Sequence, residues 1–167
     1  VQTCALPISP SDSIKMKTQL PTLFVPHGAP TFAVQPGAAG AALAEAASRL
    51  PRPRAIVIIS PHWDTEVPTV GQAERLSTIH DFYGFPQELY QLSYPATGCP
   101  EGAHEVAAAI SAAGLPVREV TSDGLDHGAW VPLRLMYPDA DVPVIPVSLQ
   151  SHAGVDHAYK LGLALAP

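Results

Sequence analysis

The chain has 167 residues, 47% of them hydrophobic and 14% charged, with a formal net charge of -6. That length allows one domain with a real core and hardly two, and the composition argues against disorder. The acidic balance argues against nucleic acid or an anionic membrane as the main partner, since both call for a basic surface.

Two cysteines, Cys4 and Cys99, form no CxxC pair and no disulfide framework, which points to a reducing, cytoplasmic compartment. Apolar runs such as Ala55–Ser60 are strand-sized and far too short to span a bilayer. No basic segment followed by a long apolar one stands at the start, so no signal peptide is read there. Residues 1–15, VQTCALPISPSDSIK, lack periodicity, and their opening resembles translated sequencing-adapter DNA. Met16 is therefore the expected natural start. Residues 1–15 are taken as a non-native or disordered leader, and 16–167 as the domain.

In chain order, Leu23-Phe24-Val25 reads as a short buried strand running into the tight loop Pro26-His27-Gly28-Ala29-Pro30. Gly40–Leu50 is alanine-rich and predicts a helix stopped by Pro51-Arg52-Pro53. Ala55–Ser60 is the clearest strand; being apolar on both faces, it suits a central position under helices. It leads into a second histidine loop, Pro61-His62-Trp63. The polar and aromatic stretch Asp64–Pro100 is too long for a plain connector, a common sign of function.

Pro100–Ala113 predicts a helix, with Pro in its first turn and Gly114 at its stop. Val117–Val120 predicts a strand, and Asp126-His127-Gly128 opens a helix through about Met136, with Pro132 in roughly its first turn. Val142–Leu149 predicts a further strand, and Asp156 is the expected cap of a last helix, Ala158–Ala166. Strands and helices alternate, which predicts a single α/β domain with a largely parallel central sheet flanked by helices.

His27 and His62 each follow the carboxyl end of a predicted strand, the edge where ligands bind in open α/β sheets. Neutral imidazoles suit iron or zinc; the plain alternative is two loop histidines bonded to backbone. His104, His152 and His157 read as solvated or capping residues. Cys99 has no neighbouring base and reads as chemically inert.

Four motifs carry more: Pro26-His27-Gly28-Ala29-Pro30, Ser60-Pro61-His62-Trp63, Ile79-His80-Asp81-Phe82-Tyr83-Gly84-Phe85-Pro86 and Asp126-His127-Gly128-Ala129-Trp130, in that order. Together they resemble the class III extradiol aromatic ring-opening dioxygenases (LigB-like), in the DOPA 4,5-dioxygenase-like branch, from about Leu20 to the last residue. The resemblance implies His27 and His62 as metal ligands and His127 as an acid/base beside the metal. It implies non-haem Fe(II) or Zn(II) as cofactor, dioxygen as co-substrate and a catechol or DOPA-like diol as substrate. It further implies a histidine-bearing GSGxxxHN motif, which is not found before Pro167. The chain is accordingly expected to be cut short at its C-terminus and inactive alone.

His80 with Asp81 and the aromatics Phe82, Tyr83 and Phe85 are expected to line an aromatic substrate pocket, with loop anchoring as the plain alternative. His127 suits proton transfer, because a helix N-terminus disfavours imidazolium and keeps the base neutral. Two other readings stay open: a zinc hydrolase using His27 and His62, and a non-catalytic binding module on the same scaffold. Homo-oligomerisation also stays open.

Overall fold

Apolar strands alternating with alanine-rich helices give the chain order α1 (Gly37–Arg49), β1 (Ile56–Asp64), β2 (Thr69–Gly71), β3 (Ser77–Thr78), α2 (Pro100–Ala112), β4 (Arg118–Val120), β5 (Gly124–Leu125), α3 (His127–Met136), β6 (Val144–Leu149) and α4 (Gly154–Leu165). Short 3-10 turns occupy Pro30–Ala33, Gln87–Gln91 and Ser151–Ala153. The structure, a computed structural model, describes residues 20–121 and 124–166. The leader expected over 1–15, the start at Met16, and Cys4 lie outside them.

The main sheet has the order β1-β6-β2-β4. β1 runs parallel to β6, from Ile56 against Val144 to Ile59 against Val147, and β2 runs parallel to β4. β2 meets β6 antiparallel at Val70 and Val147. The domain is thus α/β with a mostly parallel sheet, as the alternation of elements predicts. β3 and β5 form a separate parallel pair.

Alternate residues of β6 serve opposite faces, as the two-residue period of a strand requires. Ile145 and Val147 join Val70, Ala103, Ala107, Ile110 and Leu161 under α2 and α4. Val144 belongs instead to the cluster of Trp130, Leu133, Phe82, Leu89 and Tyr94. On that side α3 packs on β1 and α1. No helix among the described residues is long and apolar enough to cross a membrane.

Several expectations are corrected. Leu23-Phe24-Val25 is not a strand, and Leu23 and Phe24 are exposed. Prolines at 21 and 26 remove two backbone donors, and no strand among the described residues pairs with the segment. Among the described residues β1 is an edge strand, not the central one. α2 packs on β2, β4 and β6, leaving Val57 and Ile59 of β1 42% and 40% exposed. β6, with Val144–Ser148 all buried, holds the middle.

β1 also runs on through Pro61-His62-Trp63 instead of ending in a loop there. The stretch read as one excursion contributes β2 to the main sheet. Its three residues, Thr69-Val70-Gly71, are too few to show a period. The helix expected from Gly40 begins at Gly37. α4 begins at Gly154, so Asp156 lies within its first turn and does not cap it. Pro132 falls in the second turn of α3, where burial of every residue from His127 to Leu133 outweighs its cost.

Trp130 anchors this arrangement: it is fully buried, and its indole N–H donates to the Ile79 carbonyl at 3.0 Å. Trp130→Ala is expected to cost about 3–5 kcal/mol of stability, measured by chemical denaturation. A loss below about 1 kcal/mol would contradict this packing role.

Candidate metal centre

His27 is delivered by a turn that requires glycine after it. Gly28 has φ of +64°, and a Cβ there would lie 3.0 Å from Phe32 Cβ. The following turn closes with the Phe32 N–H donating to the Ala29 carbonyl at 2.8 Å, and α3 packs on that 3-10 segment.

His62 comes from the last part of β1, where the register with β6 shifts between Ile59 and Asp64. The Ser60 hydroxyl donates to Asp126 Oδ1 at 2.5 Å and accepts the His62 N–H at 3.2 Å. Asp126 also caps α3, accepting the Ala129 N–H at 3.2 Å. One carboxylate therefore ties the end of β1 to the start of α3, whose first residue is His127.

This junction leaves no room at Gly128. An added Cβ would sit 2.7 Å from His62 Cδ2 and closer still to the Ser60 hydroxyl. Gly128→Ala is expected to cost about 1–3 kcal/mol in a denaturation experiment and to displace the His62 ring. A variant of unchanged stability and unchanged His62 chemical shifts would contradict the close packing.

The result is a cluster of three imidazoles. His62 Nε2 lies 3.1 Å from His27 Nε2. Ring centroids are 5.0 Å apart for His27 and His62, 5.5 Å for His27 and His127, and 4.1 Å for His62 and His127. One nitrogen from each ring lies within 4.8 Å of the others. With metal–nitrogen bonds near 2.1 Å, ligands at right angles sit about 3.0 Å apart and tetrahedral ones about 3.4 Å. The 3.1 Å spacing of His27 and His62 falls in that interval. The residues present thus fit a first-row metal ion. His62 is exposed and His127 only 6% exposed, so the cluster has a buried floor and an open side.

Asp81 orders the cluster from behind. Its Oδ1 accepts the His127 backbone N–H at 2.9 Å, and both carboxylate oxygens lie 3.0 Å from His127 Nδ1. Its Oδ2 is also 3.8 Å from His62 Nδ1. Burial acts to raise the Asp81 pKa, but the hydrogen bonds from the His127 backbone and ring outweigh it and hold the group below its usual value. His27 is shifted down, by burial first and then by the neighbouring His62 and His127. That favours the neutral imidazole that a ligand must be.

The expected pocket residues separate. Phe82 is buried, with its ring 5.7 Å from that of His127. His80 bonds through Nε2 to the Leu92 carbonyl at 3.0 Å and packs on Phe82, Tyr90 and Trp130. Tyr83 is 90% exposed. Of these three, Phe82 is in ring contact with the histidine cluster. His157 Nε2 meets the buried Gln150 Oε1 at 3.1 Å, while His104 pairs with Glu119 and His152 lies 4.0 Å from Glu66. Sequence reasoning placed Asp81 only in the pocket lining and gave no role of their own to Ser60 or Asp126. The signal for Asp81 was its place in the same motif as His80 and Phe82, within a stretch too long to be a connector.

A family model described as the catalytic LigB subunit of aromatic ring-opening dioxygenase matches residues 21–167. The chain belongs to this LigB family. A 4,5-DOPA dioxygenase extradiol of Beta vulgaris is 44% identical over 152 residues, which cover 87% of this chain and 56% of that protein. The protein of the same name from Escherichia coli (strain K12) is 38% identical over 156 residues, covering 93% and 57%. A crystal structure of an uncharacterized E. coli K12 protein superposes with a TM-score of 0.53 at 33% identity, over 68% of this chain and 41% of that one. The chain spans about half the length of the curated relatives it matches. All four motifs that resemble the LigB family lie within the matched residues, and three of them meet in the histidine cluster through His27, His62 and His127.

Proposed function

We propose that this chain carries the histidine centre of an extradiol ring-opening dioxygenase. His27 and His62 hold Fe(II) or Zn(II), a catechol or DOPA-like diol is the substrate, dioxygen is the co-substrate, and His127 transfers protons. One observation carries the reading: two accessible imidazoles converge at 3.1 Å beside a buried third one that is held by a carboxylate. A bound metal would supply Lewis acidity toward the diol oxygens and, as ferrous iron, an electron path to dioxygen.

The chain's own residues do the rest. His127 is a base for a diol hydroxyl proton: its Nδ1 is engaged by Asp81, which leaves Nε2 of the neutral ring to take the proton. The exposed side at His62 is where a planar diol would approach, and the buried Phe82 backs His127 with its ring 5.7 Å away. His80 and Tyr83 remain candidates for the same pocket, His80 through the aromatic packing behind Phe82. A second reading makes His127 a third ligand, favoured by the 4.8 Å span of all three nitrogens. Because the matched residues make up 56% of the Beta vulgaris relative, ring opening is proposed for a protein of the relatives' length, and the 167-residue chain alone is expected to turn over no diol.

The test is ring opening by a protein of the relatives' length that carries this segment, loaded with ferrous iron without oxygen and then given catechol or DOPA. A yellow ring-opened semialdehyde that forms only after oxygen is admitted supports the proposal. Hydrolytic turnover under anaerobic conditions would favour the zinc hydrolase, and metal binding without any turnover would favour a binding module.

A further inference from the structure

The His127 backbone N–H can only donate, so Asp81 Oδ1, 2.9 Å away, must accept. The same oxygen lies 3.0 Å from His127 Nδ1, and Oδ2 lies 3.0 Å from it as well. Both oxygens of an ionised carboxylate can only accept, so a ring nitrogen 3.0 Å from each must carry the hydrogen. We infer that Asp81 is the positioning residue of this centre: its carboxylate keeps a hydrogen on His127 Nδ1, so that in the neutral ring Nε2 is the bare nitrogen. This rests on the proposed function for its catalytic meaning, though the tautomer itself does not.

The placement is economical in contacts. A side chain from the long segment between β3 and the 3-10 turn at Gln87–Gln91 clamps the first residue of α3 through both backbone and ring. Rotation of the His127 ring about χ1 or χ2 would break the contact to Nδ1, so the carboxylate fixes orientation as well as tautomer. Its second oxygen also stands 3.8 Å from His62 Nδ1, on the far side of that ring from the Nε2 that meets His27. Asp81 therefore lies behind two of the three imidazoles.

Asparagine at this position separates the roles. Its amide oxygen can still accept the backbone N–H in place of Oδ1. Its NH2 then stands where Oδ2 does and donates to Nδ1, which moves the ring hydrogen to Nε2. The size is conserved and the chemistry of His127 is reversed.

The experiment uses the metal-free 167-residue chain with 15N-labelled histidine and long-range 1H–15N spectra, with thermal melts as the folding control. The wild type should show His127 protonated at Nδ1, Asp81→Asn should show it protonated at Nε2, and Asp81→Glu should restore Nδ1. In a protein of the relatives' length, Asp81→Asn should lower kcat about 10²–10⁴-fold with KM little changed. An Nε2-protonated His127 in the wild type overturns the inference, even if the asparagine variant does not fold. So does an unshifted proton in a folded Asp81→Asn. Zinc binding that ignores His27 and His62 would sink the proposed function instead, and would leave the Asp81 assignment standing.

Discussion

Replacing either His27 or His62 with alanine should lower the zinc affinity of the chain roughly 10²–10³-fold by calorimetric titration. Structural zinc sites bind with about 10–16 kcal/mol shared among four ligands, or about 2.5–4 kcal/mol for each. The two imidazoles meet through Nε2 at 3.1 Å, so neither has another nitrogen donor as near to replace it as the partner ring. The loss should be the same in kind for both variants, because one residue comes from a turn and the other from β1, and neither forms part of the buried core. Melting temperature should change little, since His62 lies exposed and His27 only half-buried. Undiminished affinity in both variants would remove the metal centre from this account.

His127→Ala should behave differently. In a protein of the relatives' length it is expected to keep its metal while turnover falls about 10²–10⁴-fold, the usual contribution of a general acid/base. Its ring is the buried member of the cluster and is bonded through Nδ1 to Asp81, an arrangement suited to holding a proton-transfer group in place. Metal content by mass spectrometry, measured beside kcat, separates the two readings. Loss of metal and turnover together would make His127 a third ligand, and full turnover would refute any direct part for it.

Much of the fold was legible, for reasons that vary by element. α2 announced itself through Pro100, Glu101 and Gly114, which act at its own ends and need no tertiary partner. β6 was read as an apolar strand because burial on both faces leaves a continuous hydrophobic run. The same rule misplaced β1: Val57 and Ile59 have the composition of a covered strand, yet they stay 42% and 40% exposed. Leu23-Phe24-Val25 failed likewise, since an apolar run becomes a strand only where a neighbour accepts its hydrogen bonds. β2 escaped because three residues carry no period.

The site divides along the same line. The clustering of His27, His62 and His127 was legible because each stands in one of the resembling motifs, although no strand precedes His27 and β1 runs on past His62. Asp81 was read as a pocket-lining neighbour of His80, because its contact with His127 is made with a partner 46 positions away, which no local spacing reveals. Ser60 and Asp126 are similar: a strand-end hydroxyl and a helix cap are ordinary locally, and only the contact between them joins His62 to His127. Phe82, His80 and Tyr83 were grouped by adjacency, and the backbone then sent them to different surroundings.

The central claim is that the imidazole cluster is a metal centre, and a crystal structure of the iron-loaded chain with anomalous scattering at the iron edge tests it most directly. The account predicts one strong peak about 2.1 Å from a nitrogen of His27 and of His62, with the Asp81 carboxylate bonded to His127 and not to the metal. A peak elsewhere, such as beside His104 and Glu119, or no peak at this cluster under saturating iron, would contradict it.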